Sequence, residues 1–238
     1  MSAAWRALRN GVYFLGLTLG VPTPALGFPP YRSTDADTAA RGVLEARLGL
    51  LRALREDGEY EYTSPLLRLN LGLSPNTELI SELEYQPEED RISDGAAGLK
   101  FVSRGEDLNV GIETLVLLPV SPGQSGVGVE SQFLATFERD RYLLHLNAGG
   151  FYDPRSGASE HGWRASLLGE QRRAKARVGL EIFARRSDGE SVQVQAGAGL
   201  IAPAGRLTIR AGIHAGLTAA APDLVASIWI STEARLWQ

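Results

Sequence analysis

From Gly42 onward, apolar and polar residues alternate at every second position, in runs separated by turn-forming residues. Leu44, Ala46, Leu48 and Leu50 share one face of the first run, and Glu45, Arg47 and Gly49 take the other. The same division sets Leu67, Leu69 and Leu71 against Arg68, Asn70 and Gly72, and Leu108, Val110 and Ile112 against Asn109, Gly111 and Glu113. It recurs with Val178, Leu180 and Ile182 against Arg177, Gly179 and Glu181, and with Leu207, Ile209 and Ile213 against Thr208, Arg210 and His214. A period of two belongs to strands that face an apolar medium on one side and a polar one on the other; helical spacing of three and four is absent. The pattern predicts twelve strands, near 43–54, 61–73, 77–86, 96–103, 107–118, 128–138, 141–152, 163–172, 174–184, 191–201, 206–217 and 224–237.

The predicted connections alternate in length. Those at 74–76, 104–106, 139–140, 173 and 202–205 are tight, and those at 55–60, 87–95, 119–127, 153–162, 185–190 and 218–223 are longer and polar. Up-and-down outer-membrane barrels have short periplasmic turns and longer outer loops, and an even strand count returns both termini to the periplasmic side. The expected fold is therefore all-β: an up-and-down antiparallel transmembrane β-barrel of about 12 strands over 42–238. Its apolar faces carry almost no charge, Arg52 at a strand end excepted, and its polar faces mix Arg, Glu, Gln, Asn and Gly. Twelve strands also enclose a bore too wide for inward apolar side chains to fill, so the apolar face points to lipid. Tyr60, Tyr62, Tyr85, Phe101, Phe133, Phe137, Tyr142, Tyr152, Trp163, Trp229 and Trp237 fall mostly near strand ends, where interfacial girdles sit.

The N-terminus has a different character. Arg6 and Arg9 precede the uncharged apolar stretch 11–21, which Pro22 and Pro24 break and Ala25-Leu26-Gly27 closes. That is the pattern of a signal peptide cleaved near Gly27, and the apolar run is too short for a spanning helix. Residues 28–41 are expected to form a periplasmic N-terminal segment. The 238-residue chain has a net charge of −4, so no basic field points to nucleic acid. It has no cysteine, which excludes disulfides, thiolate metal sites, a Cys nucleophile and a lipoprotein anchor.

Pro30-Tyr31-Arg32-Ser33-Thr34-Asp35-Ala36-Asp37-Thr38, followed by Gly42 and Glu45, resembles the opening of bacterial outer-membrane transporter barrels of the MetA-pathway of phenol degradation family. Those chains commonly carry two Asp before the Ala where this one has Asp35 alone. The resemblance implies an outer-membrane barrel passing small, aromatic or hydrophobic compounds, with Thr34, Asp35, Ala36, Asp37, Thr38, Gly42 and Glu45 as a structural signature. The last strand departs from the usual insertion signal. Trp237 is penultimate and one residue out of phase with Ile228, Ile230, Thr232, Ala234 and Leu236.

The inward set carries the candidate chemistry. The first half of the wall supplies Arg47, Arg68, Asn70, Glu82, Glu84, Lys100, Glu113, Glu130 and Gln132; the second supplies His145, Asn147, Arg177, Glu181, Arg210 and His214, with Arg164, Glu170, Gln193 and Gln195 beside them. Mixed charges on a bore can pair and close it, or form a polar path for a solute. Glu82 and Glu84 lie two apart on one face, where paired carboxylates could do acid–base work, although arginines on neighbouring strands can neutralise them. A hydrolase would need Ser166 within reach of a histidine, and no G-x-S-x-G supports one. No H-x-x-x-H or H-E-x-x-H spacing suggests a metal, and no cofactor motif is present. The acidic stretch 87–95 lacks calcium-loop spacing. Leu115, Leu117, Leu134 and Leu143 interrupt the polar face on three adjacent strands, as local packing or as an apolar patch for a hydrophobic solute. The expected protein is not an enzyme but an outer-membrane channel for small, hydrophobic or aromatic solutes. Its partners are the bilayer, the solute and the barrel-assembly machinery. A plugged structural barrel is the first alternative and an outer-membrane lipid hydrolase the second.

Overall fold

The computed structural model describes residues 29–56, 58–88 and 90–237; the proposed signal peptide lies outside them. Thirteen strands follow one another: β1 (Val43–Glu56), β2 (Glu59–Thr63), β3 (Leu66–Ser74), β4 (Thr77–Gln86), β5 (Arg91–Arg104), β6 (Leu108–Leu117), β7 (Gly128–Arg139), β8 (Tyr142–Asp153), β9 (Glu160–Arg173), β10 (Ala176–Ser187), β11 (Gln193–Ala204), β12 (Leu207–Gly216) and β13 (Leu224–Arg235). From β3 onward each strand pairs antiparallel with the next, β1 pairs with β2 and β3, and β13 pairs back onto β1, so the sheet closes on itself. The fold is that of a twelve-position up-and-down barrel with one extra strand.

The extra strand arises where one wall position is broken. The first part of β1 pairs with β3, from Leu44↔Leu71 to Gly49↔Leu66, and the second part pairs with β2, from Arg52↔Thr63 to Glu56↔Glu59. Between β2 and β3 stand Ser64 and Pro65, and proline brings no N–H to a ladder. Opposite this break, on its other side, β1 shifts register against β13 between Gly49 and Leu51. Ser64 Oγ donates to the carbonyl of Leu50, the residue the shift leaves over, at 2.6 Å. The bulge changes the parity of β1: Leu50 and Leu51 both face outward, and Arg52 turns inward. Arg52 is thus no exception on the apolar face, because one alternation, not two, separates it from Leu50.

β5, β9 and β10 are longer than the pattern predicts at the end bearing the larger loops. β5 begins at Arg91, so half of the stretch expected to be an acidic loop is wall, with Asp94 pointing in. The turns 75–76, 105–107, 140–141, 174–175 and 205–206 lie at one end; 118–127, 154–159, 188–192 and 217–223 are the larger connections at the other. The outer surface is apolar: Leu180 is 72% exposed, Phe133 55% and Ile213 51%, whereas Arg68 is 0% and Lys100 2% exposed. Outward-facing leucines beside fully buried cations are the inverse of a soluble barrel, and the orientation matches that of outer-membrane barrels. Tyr60 and Tyr62 stack at 6.1 Å near the large-loop end, and Tyr142 and Trp237 sit near the other. Trp229 does not join a girdle. It is buried inside against Leu66, opposite Gly49.

Candidate functional site

The bore is crossed by the chain's own N-terminal segment. Residues 29–41, expected in the periplasm, in this structure run inside the barrel before Gly42 leads into β1. The segment enters at the short-turn end, between β4 and β5, and reaches β12 on the far wall. Ala39 N–H donates to Glu78 Oε2 on β4 at 2.7 Å, and Asp37 pairs with Arg104 on β5 at 2.6 Å. Thr38 Oγ1 donates to the Pro75 carbonyl at 3.0 Å. Farther in, Ala36 N–H donates to Thr136 Oγ1 on β7 at 2.8 Å. Thr34 is clamped from both sides of its peptide: its N–H donates to Asn147 Oδ1 at 2.7 Å, and its carbonyl accepts from Asn147 Nδ2 at 2.9 Å.

Glu181 on β10 holds the next two residues. Oε2 accepts from Arg32 N–H at 2.9 Å, and Oε1 from Ser33 N–H at 2.5 Å and from the Ser33 hydroxyl. His214 Nε2 lies 2.7 Å from the same carboxylate and fixes it from behind. Arg164, paired with Glu130, donates to the Arg32 carbonyl at 2.9 Å; Arg210, paired with Glu45, donates to the Pro29 carbonyl at 3.2 Å. An irregular strand buried in a bore needs such partners for its peptide groups, and the inward side chains supply them.

The wall is shaped to admit this segment. Gly179, Gly199 and Gly212 lie in register across β10, β11 and β12, forming a furrow without side chains. A Cβ on Gly199 would come within 2.5 Å of the Tyr31 ring, and one on Gly212 within 2.7 Å of Pro30. Gly42, where the segment turns into β1, has φ +74° and lies against the backbone of Trp237, whose carbonyl would be 2.3 Å from a Cβ. Only glycine meets both conditions without strain.

The remaining inward charges form local networks. Arg68 pairs with Glu82 and, at 3.1 Å, with Glu113, which also accepts from Gln132 at 3.1 Å. Asn70 links Arg68 to Glu78. Lys100 lies 3.6 Å from both Asp35 and Glu113, 3.8 Å from Glu78, and donates to Thr34 Oγ1 at 3.2 Å. Burial alone would raise the Asp35 carboxyl, but Lys100, and then His145, Arg177 and Arg47, hold it below the usual carboxylate range. Arg47 joins Glu45 at 2.5 Å, and Glu84 receives both terminal nitrogens of Arg52, at 2.8 and 2.9 Å. His145 stands between Thr136 and Glu170, at 2.9 and 3.1 Å, with Arg177 3.4 Å beyond. At the large-loop end Arg155 reaches from its loop to Asp94 at 2.6 Å and Asp153 at 2.8 Å.

These contacts separate the possible chemistries. Glu82 and Glu84 are each engaged by an arginine instead of by one another. Ser166 donates to Asn147 at 3.2 Å and shares no hydrogen bond with a histidine among the described residues. Leu134 packs with Val102 against Ala36 of the segment, whereas Leu115 and Leu117 join Ile80 and Ala96 in a separate apolar patch on the wall. Tyr31 of the segment packs against Leu168 and Ile201 of the wall. The parity that selected Glu82 and Gln132 equally marks Glu78 and Thr136, which sequence reasoning passed over. Arg155 carries no such mark, because it lies in a loop.

No family model matches the chain, and no curated protein does. Solved structures do. The COG4313 outer membrane channel from Pseudomonas putida F1 superposes with a TM-score of 0.63 at 10% identity, over 84% of this chain and 98% of that one. The NanC porin gives 0.60 at 10% identity, over 81% and 98%. The KdgM porin gives 0.58 at 8% identity, over 80% and 97%. At such identity the likeness establishes a shared fold: the chain has the closed up-and-down barrel of those outer-membrane proteins.

Proposed function

We propose that the protein is an outer-membrane channel for small solutes whose resting state is closed by residues 29–41. The observation that carries this reading is the segment's mode of attachment. It is bound to the bore through side-chain hydrogen bonds and ion pairs, not through a β-ladder, so it can leave without breaking the wall. The apolar exterior, the fold shared with outer-membrane channels and the signal-like N-terminus support residence in that membrane, reached through the barrel-assembly machinery. The opening Thr34-Asp35-Ala36-Asp37-Thr38 supports kinship with the phenol-degradation transporter barrels. The apolar patch of Ile80, Ala96, Leu115 and Leu117 on the inner wall favours hydrophobic or aromatic solutes over strongly polar ones. A permanently plugged structural barrel is the competing reading, favoured by the near-complete burial of the inward charges.

Deleting residues 29–41 decides between them. In proteoliposomes the shortened barrel admits small solutes and swells the vesicles faster than the full mature chain does. If the shortened barrel folds, as heat-modifiable gel mobility reports, yet passes nothing, the channel reading fails.

A further inference from the structure

The outer wall carries a groove that no solute path uses. It measures about 770 Å³ and lies over β7–β11, near the short-turn end. Its floor is Gly169, whose missing side chain leaves open space on the outer face. Gly169 pairs with Leu144 on β8 and with Leu180 on β10, so two leucines stand on either side of a vacant position in one row. Leu180 is the most exposed large apolar side chain described, at 72%. Tyr142 and Val178 continue the two ridges one row nearer the membrane edge, and both pair with Gln171.

The outer face of β9 changes character along this groove. From Leu167 it passes to Gly169, then to Gln171, then to Arg173 at the turn. Gln171 donates to the Tyr142 hydroxyl at 3.2 Å and accepts from Arg173 Nε at 3.0 Å. Arg141 lies 5.3 Å over the Tyr142 ring. A second hollow, of about 520 Å³, opens at the groove's foot and is lined by Arg141, Gln171, Arg172, Arg173 and Ala174. The two turns 139–142 and 172–175 carry Arg139, Arg141, Arg172, Arg173 and Lys175 against Asp140 alone, or with neighbouring Glu138 a balance of five cations to two carboxylates. That excess stands out in a chain of net charge −4.

We infer that this groove and its basic foot bind one anionic phospholipid of the surrounding leaflet. An acyl chain lies along β9 over Gly169, and the phosphate meets the guanidinium cluster. The length fits, because the four residue steps from Gln171 to Leu167 span roughly 13 Å, a substantial part of an acyl chain within one leaflet. The charge fits as well, since arginines at the headgroup level recognise phosphate by paired N–H donors. The inference uses the proposed bilayer setting but not the closure of the bore.

Native mass spectrometry of the mature barrel, released from detergent with added phosphatidylglycerol, tests it. One phosphatidylglycerol adduct is expected to persist, with phosphatidylcholine, lipid A and inorganic phosphate each retained at least about tenfold less. R141Q/R173Q is expected to lower retention of phosphatidylglycerol about tenfold by removing the headgroup contacts, and G169L to lower it similarly by filling the groove. R206Q, at another turn of the same rim, is expected to leave it unchanged. Heat-modifiable mobility confirms that each variant is folded. Equal retention of phosphatidylcholine, preference for lipid A, or a folded G169L that keeps its adduct overturns the inference. Solute flux through the 29–41 deletion is read separately, so failure here leaves the channel proposal standing.

Discussion

Glu181 is the strongest single hold on the N-terminal segment, and Glu181→Gln removes part of that hold without changing its size. The carboxylate accepts from Arg32 N–H, Ser33 N–H and the Ser33 hydroxyl, and faces His214 Nε2 at 2.7 Å. A carboxamide has only one acceptor oxygen, so whichever way it is turned, its NH₂ meets at least one peptide N–H of the segment. One buried donor loses its partner, and the rest lose the assistance of a charge. Together these losses cost the docked state about 2–3 kcal/mol. At 1.4 kcal/mol per factor of ten, the ratio of released to docked segment rises roughly 30- to 150-fold.

The absence of cysteine offers a clean readout. Ala36 is fully buried beside Val102 and Leu134, so an Ala36→Cys thiol reacts with a maleimide only from the released state. If redocking outpaces labelling, the labelling rate tracks the released fraction. Adding Glu181→Gln should accelerate labelling by that factor of roughly 30 to 150. Labelling within about threefold of the Ala36→Cys parent, in a barrel that still shows folded gel mobility, would refute the view that these hydrogen bonds hold the segment.

Two further outcomes follow from the same contacts. Gly42→Ala places a methyl group 2.3 Å from the Trp237 carbonyl at a backbone φ of +74°, and should destabilise the barrel by about 1–3 kcal/mol, read as a lower temperature for the gel-mobility shift. Asp35 is held below the usual carboxylate range in the docked state, so its stabilising contribution is complete above its ordinary value of 3.8 and is lost as the pH falls through the lower docked value. The excess bilayer conductance of Asp35→Asn over wild type should therefore be constant from about pH 5 to 8 and shrink below about pH 4; an excess that instead fades as the pH rises from about 5 to 8 would contradict the assignment.

The wall was legible because each of its residues obeys a period of two that needs only lipid on one side and water on the other. Leu44, Arg68, Glu113 and Leu180 all point where parity puts them. Parity failed at Leu50, because a bulge is a property of two paired strands: β1 carries one residue more than β13 there, and β13 lies far away in sequence. Trp229 was misread for a related reason, since its place near a strand end looked interfacial, while its own parity with Ser231 pointed inward. The inner charges were found, but not what most of them bind. Residues 29–41 carry no periodicity, because a segment lying across a bore makes each contact with a different strand. The available signal was the glycine content of the polar faces. Gly179, Gly199 and Gly212 leave bare backbone side by side on three adjacent strands, and bare backbone implies that something else fills the space.

The closing segment is joined to the wall through Gly42, and that covalent link has a kinetic consequence. A stopper on a short leash experiences an effective concentration near the millimolar range, whatever the number of copies in the cell. Reclosure is then a first-order event, set by the length and stiffness of the leash. Each molecule would reseal at its own pace, unaffected by expression level or by competition from its neighbours.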